Sequence, residues 1–206
     1  ITASGGLFLF EKKVTGFEIK SDAILHVKTA DGDSFTGDAV ILATGHSARD
    51  IFHLLYESKI LIEPKPFALG VRIEHPQSLI DSIQYHCTVR DPVLPPASYS
   101  LVQQVDGKGV FSFCMCPGGI IAPAATSPGE LVVNGWSPSR RNNPFANSGI
   151  VVSVSEQEAI QSLRVTDYAQ LMNVRSGGTH PLSLLYFQQM VEEKAFAAGG
   201  GKFAAP

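Results

Sequence analysis

The 206-residue sequence predicts an α+β fold of mostly antiparallel strands, with a β-meander and three or four helices. Three observations carry that prediction. Over the first forty residues, side chains alternate in short runs separated by turn signals. Asp106-Gly107, a second hairpin signal, joins two further β-rich runs. No Gly-x-Gly-x-x-Gly follows a strand anywhere, so this chain has no start of a dinucleotide-binding unit.

The elements follow in order. Phe17 and Ile19 alternate with Glu18 and Lys20, and Leu25, Val27 and Thr29 alternate with Ile24, His26 and Lys28. Asp31-Gly32-Asp33 turns the meander. "AVILATG", residues 39–45, is nearly all apolar and predicts a strand buried on both faces. Ser47 is a good N-cap, and Asp50 three residues on completes a capping-box pattern for a helix carrying Ile51, Leu54 and Leu55. Pro64 and Pro66 bar its continuation. "FALGVRIEH", residues 67–75, predicts a strand with Phe67, Leu69, Val71 and Ile73 on one face and Ala68, Gly70, Arg72 and Glu74 on the other. A short helix begins at Pro76. Residues 88–98 are a proline-rich loop, and a hairpin turns at Asp106-Gly107. Residues 116–130 are loop and short strand, and "ELVVNGW" is a strand. Residues 137–149 are a polar loop before the strand "IVVSV". Residues 156–172 are weakly helical. Pro181 to Ala198 predicts a buried helix closed by Gly199.

Composition bounds the function. Hydrophobic residues make up 44% and charged residues 17%, which describes a globular chain able to bury a core. A net charge of -3 leaves no electrostatic footprint for nucleic acid. No apolar run is long enough to span a bilayer, so no membrane partner is expected. The three cysteines are too few for a disulfide framework, and a reducing, cytoplasmic location is the expectation. The chain opens at Ile1 and stops at "GGGKFAAP". Both ends predict a piece cut from a longer protein, with self-association through the surfaces left by truncation.

Four stretches carry candidate chemistry. In "ATGHSARD", Gly45 lets a ligand approach the backbone, and the helix start after it offers N–H groups to an anion. An ordinary strand–turn–helix with Ser47 as a plain cap is the favoured account from the residues alone. In "FSFCMC", Cys114 and Cys116 share a strand face, and a thiolate beside a redox cofactor could exchange electrons with it. Simple packing is the favoured account, and no further thiol or histidine cluster suggests a metal. Gly118-Gly119 gives a tight turn or a cofactor wall. In "GVRIEHPQ", Arg72, Glu74 and His75 could hold an anion or shuttle a proton, or form an ion pair on a solvated strand. In "SPSRRNNPFANS", Arg140, Arg141, Asn142, Asn147 and Ser148 are dense hydrogen-bonding groups in a loop, with Arg141 and Asn142 the candidate substrate contacts, set against a merely solvated loop.

"DAVILATG" after a meander resembles the second signature of FAD-containing oxidoreductases of the two-dinucleotide-binding type. With "KPFALGVRIEHPQSLID", "FSFCMCPGG" and "NGWSPSRRNNPFANSGIVV", the chain resembles the bacterial FAD-dependent proteins described as NAD(FAD)-utilising dehydrogenases. The resemblance implies an incomplete FAD-binding domain plus an inserted cap domain. Residues 1–63 would be the remnant of the FAD-binding domain, 64–180 the substrate or cap domain, and 181–206 a helix returning towards the FAD-binding domain. It places Thr44 and Gly45, with His46 as their neighbour, near FAD; the residues themselves add Gly118 and Gly119 as a candidate cofactor wall and Arg72, Glu74, Arg141 and Asn142 as candidate contacts to a small-molecule substrate. The full-length protein would be a flavin-dependent oxidoreductase with NAD(P)H as co-substrate. This fragment is expected to retain no FAD. Cys114, Cys116 and His75 are the catalytic candidates. The competing expectation is a non-catalytic ligand-binding or sensor module that keeps the flavoprotein architecture.

Overall fold

The computed structural model describes residues 1–45, 47–163 and 180–202. Its chain divides into two compact units, Ile1–Glu63 and Pro64–Pro206.

The first unit holds the meander. β1 (Val14–Lys20), β2 (Ala23–Thr29) and β3 (Ser34–Phe35) form an antiparallel sheet in that order. Ser21 (φ 51°) and Asp22 (φ 61°) both take left-handed angles, as a two-residue type I′ turn requires. The next turn is held by side chains. Asp31 accepts from the Thr29 hydroxyl at 2.6 Å, and Lys12 pairs with both Asp31 and Asp33. The ammonium of Lys12 first, then the Thr29 hydroxyl, holds the Asp31 carboxyl down at about 2. α1 (Arg49–Glu57) lies against β1 and buries Ile51.

Two expectations fail in this unit. Residues 39–45 form no strand, and Ile41 is 90% exposed. A strand exists by pairing with a neighbour, and β3, only two residues long, offers no ladder to Val40–Leu42. Ser47 does not cap α1. Ala48 holds the N-cap position, and the Asp50 carboxylate accepts from the Ile51 N–H at 3.0 Å instead. The helix starts one residue later than the capping-box pattern requires. Leu7, Phe8, Leu9 and Phe10 are a second exposed apolar run.

The second unit is built on a four-stranded antiparallel sheet. Its order is β4 (Phe67–Pro76), β9 (Phe145–Val154), β6 (Lys108–Cys116) and β5 (Val102–Val105). β7 (Ile120–Pro123) and β8 (Val133–Trp136) form a separate two-stranded ribbon. The β5–β6 turn falls at Asp106 (φ 48°) and Gly107 (φ 78°), as the sequence predicts. β9 corrects the predicted loop over 137–149. It begins at Phe145 and runs ten residues between β4 and β6, with Asn147 and Ser148 wholly buried. Ala146, Ser148 and Gly149 are small enough for a strand flanked on both sides. A Cβ on Gly149 would already press on the Phe113 carbonyl.

Phe67, Leu69 and Val154 lie on one face of the sheet, under α3 (Glu156–Leu163) and α4 (Ser183–Ala198). The core there comprises Ala159, Leu163, Leu184, Phe187 and Met190, with the Phe67 ring edge-on to Phe187 at 6.4 Å. The predicted 156–172 helix is α3 as far as Leu163, and the rest lies outside the described residues. α4 therefore packs within the second unit. Gly199 is its C-cap. α2 (Gln77–Tyr85) follows β4 directly, with Pro76 as N-cap.

The proline-rich segment after α2 is tied down rather than loose. Asp81 Oδ1 accepts from the Gln77 amide and from the Ala97 N–H, both at 2.8 Å. Asp81 Oδ2 accepts from Arg90 Nε, also at 2.8 Å. Gln77 also donates to the Ala97 carbonyl and accepts from the Gly118 N–H at 2.7 Å. One buried glutamine thus joins α2, the loop and the Gly118 turn.

Candidate functional site

Successive side chains on β4 point to opposite faces, so Arg72 and Glu74 share the face away from α3 and α4. Across the ladder, Arg72 stands opposite Gly149, Gly149 opposite Phe113, and Glu74 opposite Asn147. The missing side chain of Gly149 leaves room beside the guanidinium. Arg72 leans along the sheet to Asn147 and donates from Nη1 to its Oδ1 at 2.5 Å. The same nitrogen reaches the Cys114 carbonyl at 3.2 Å and Cys116 Sγ at 3.9 Å. Gly135 of β8 closes over this group, and a Cβ there would overlap both Arg72 and Asn147.

The Cys114 carbonyl is available because the ladder breaks. Between Phe113 and Cys116 the β6–β9 register slips, and Cys114 sits at φ 46°. Such a bulge turns a side chain out of its pleat. The two thiols therefore do not share a face as the alternation predicts. Cys114 is exposed, whereas Cys116 is buried and donates its S–H to the Cys114 carbonyl at 3.2 Å.

His75 points to the opposite face of β4 from Arg72 and Glu74. Its ring packs at a tilt of 35° against Tyr99, 5.5 Å between ring centres. Burial pushes its imidazole below the usual histidine range, while Glu74 pulls the other way. Its Nε2 is buried without a hydrogen-bond partner among the described residues.

Within the second unit, Gly118, Gly119, Arg141 and Asn142 are not among the hydrogen-bond partners of Arg72. Thr44 and Gly45 are exposed in irregular chain, with Gly45 at φ 78° and open space on its Cβ side. His46 lies outside the described residues. The Gly118 and Gly119 amides are spent within the fold, on Gln77 Oε1 and the Phe145 carbonyl. Gly118 packs on the Arg141 backbone. Arg141 and Asn142 are exposed. A shallow groove of about 280 Å³ beside α1 passes Lys13, Asp50, His53 and Glu57 and includes none of the predicted residues. Among the described residues, no cluster of three or more His, Cys, Asp or Glu is placed to hold a metal. Among the same residues, no helix is long and apolar enough to cross a membrane.

Sequence reasoning counted Asn147 among the hydrogen-bonding groups of a polar loop rather than of a buried strand, and it missed Gly135. A signal for the first exists: Ala146, Ser148, Ile150, Val152 and Val154 form one uninterrupted face of small to apolar residues, which extends the strand back through Asn147.

Comparison with known proteins gives this architecture its class, that of a flavoprotein-type domain. Residues 66–206 match the family described as "FAD-dependent protein, C-terminal domain-like", and the chain belongs to that family. A protein of Clostridium beijerinckii (strain ATCC 51743 / NCIMB 8052), described as an uncharacterized protein, is 39% identical over 204 residues. The alignment covers 98% of this chain and 35% of that protein, so the chain spans about a third of its relative's length.

For an FAD phosphate the Gly118 and Gly119 amides are not free donors, because both already have acceptors within the second unit.

Proposed function

We propose that this chain forms the substrate side of an FAD-dependent oxidoreductase of the NAD(FAD)-utilising dehydrogenase type. In this reading residues 64–180 are an inserted cap domain. Residues 1–63 supply one edge of the FAD cleft through Thr44 and Gly45, and 181–206 lead back towards the nucleotide-binding part. Arg72, Glu74, Arg141 and Asn142 face a small-molecule substrate, and NAD(P)H is the second redox partner. The family match over residues 66–206 carries the reading. Bound FAD would supply the hydride chemistry, and this chain's part is to bind and orient the substrate.

The test uses the clostridial relative at full length. It should purify with flavin absorbance, and NADH or NADPH should bleach it anaerobically. Colourless protein would overturn the flavin assignment. Coloured protein that neither nucleotide bleaches would establish the ligand-binding or sensor role instead.

A further inference from the structure

We propose that the Nε and Nη2 edge of Arg72, held from its Nη1 side by Asn147, binds the carboxylate of a flat, largely apolar small molecule on the face of the four-stranded sheet away from α3 and α4. This deepens the reading above by naming what the wall holds. Its test is run without flavin, so either idea can fail alone.

The donors come first. A guanidinium carries five N–H groups. All of Arg72's hydrogen bonds run through Nη1, to Cys114, Cys116 and Asn147. Nε and Nη2, with the other three N–H groups, have no partner among the described residues. That side-on edge matches the two oxygens of a carboxylate. Arg72 is half-buried, and no carboxylate among the described residues pairs with it. Asn147 fixes the other side of the group. It is 0% exposed and its Nδ2 is buried with no acceptor among the described residues, although buried polar groups are normally satisfied. Its Oδ1 is committed to Arg72, so the amide is held with its donor end unused. The unneutralised cation calls for an acceptor that bears negative charge at its free edge, while Asn147 fixes the opposite side of the guanidinium.

The surroundings favour an organic anion. Along the same face from Arg72 the floor is Gly70 and Ala68 on β4, both exposed and without bulk. Phe111 and Phe113 project from β6, Phe113 56% exposed, and Val102 on β5 is 77% exposed. A flat apolar body can lie on this floor with its carboxylate at Arg72. Glu74, two residues along the same face, repels a second negative charge and so disfavours dianions.

Titration of benzoate into the ¹⁵N-labelled 206-residue chain tests the site. The side-chain Nδ2 signals of Asn147 and the amide of Gly135 should shift saturably. Acetate should bind more weakly for want of the apolar body, and inorganic phosphate more weakly for its second charge. Arg72→Lys keeps a charge but loses the fork, and should weaken benzoate at least tenfold. Asn147→Asp supplies an internal counterion and should abolish saturation. Glu74→Gln should tighten binding. Shifts that fail to saturate at tens of millimolar, or equal affinity in Arg72→Lys, would overturn the site. Phosphate binding more tightly than benzoate would overturn the carboxylate assignment.

Discussion

Asp81→Ala removes the acceptor that fastens the 86–99 loop to α2. The Ala97 N–H then has no partner in a buried position, which costs about 1–3 kcal/mol. Arg90 loses its carboxylate too, but its side chain is 26% exposed and regains water, so we count about 1 kcal/mol for it. The Gln77 amide keeps the Ala97 carbonyl. The sum is about 2–4 kcal/mol, which at a urea dependence of about 2 kcal/mol per molar moves the unfolding midpoint by roughly 1–2 M. Asp81→Asn keeps the shape and should lose only the Arg90 bond, about 1 kcal/mol. The pH dependence has a definite sign. Burial, the largest single influence, pushes the Asp81 carboxyl up, but the bonds from Ala97, Gln77 and Arg90 together hold it below its ordinary value. A depressed folded value means that the contribution is complete above the unfolded value near ~4 and fades as pH falls through the folded one. The gap between wild type and Asp81→Asn should therefore narrow in acid. Urea unfolding followed by circular dichroism, with amide exchange at Ala97, reads all of this. An Asp81→Ala variant within about 0.5 kcal/mol of wild type, with Ala97 still protected, would refute the reasoning.

Gly118→Ala should destabilise by about 2–4 kcal/mol, because φ is 51° and a Cβ would overlap the Arg141 carbonyl, whereas Gly109→Ala, with only a Gln104 side-chain tip nearby, should stay within about 0.5 kcal/mol. Thermal melts of the two variants check the contrast. Cys114 should react with a maleimide well before buried Cys116 in native protein, as mass spectrometry after timed quenching would show. In equilibrium dialysis this chain should not retain FAD at micromolar concentration, since partial contacts must overcome the entropy of fixing a large ligand.

Local chemistry was legible where it decides local structure. Asp106-Gly107 needs only its own backbone preferences to form a hairpin, and the alternation of β4 placed Arg72 and Glu74 together on a small-residue face. The same Ser-x-x-acid signature misled at Ser47–Asp50 and passed unread at Ser155–Glu158. There the Glu158 carboxylate accepts from the Ser155 N–H at 2.9 Å, and the Ser155 hydroxyl accepts from the Glu158 N–H at 3.3 Å. The motif states that a cap can form, and the surrounding chain fixes where the helix begins. Asn147 and Ser148 were hidden for a different reason. Asparagine and serine are turn formers by local preference, and their burial follows from pairing with residues some seventy-five positions earlier on β4 and thirty-five earlier on β6. Nothing within a short window records that. Val40–Leu42 shows the converse, an apolar run with strong strand preference and no neighbour to pair with.

The two uncovered apolar runs, Leu7–Phe10 and Val40–Leu42, bear on how this chain keeps in solution. Each is uncharged and proline-free and rich in β-branched or aromatic residues, the makeup of segments that stack in register into fibrils. Neither is sheltered by its own unit: Leu7 and Phe10 are 84% and 81% exposed, and Ile41 is 90% exposed. Shelf life should therefore fall steeply with concentration, through nucleated assembly rather than through unfolding of the sheet. A single lysine at Ile41 would act as a gatekeeper and lengthen the lag before turbidity while leaving the β4–β9 ladder untouched.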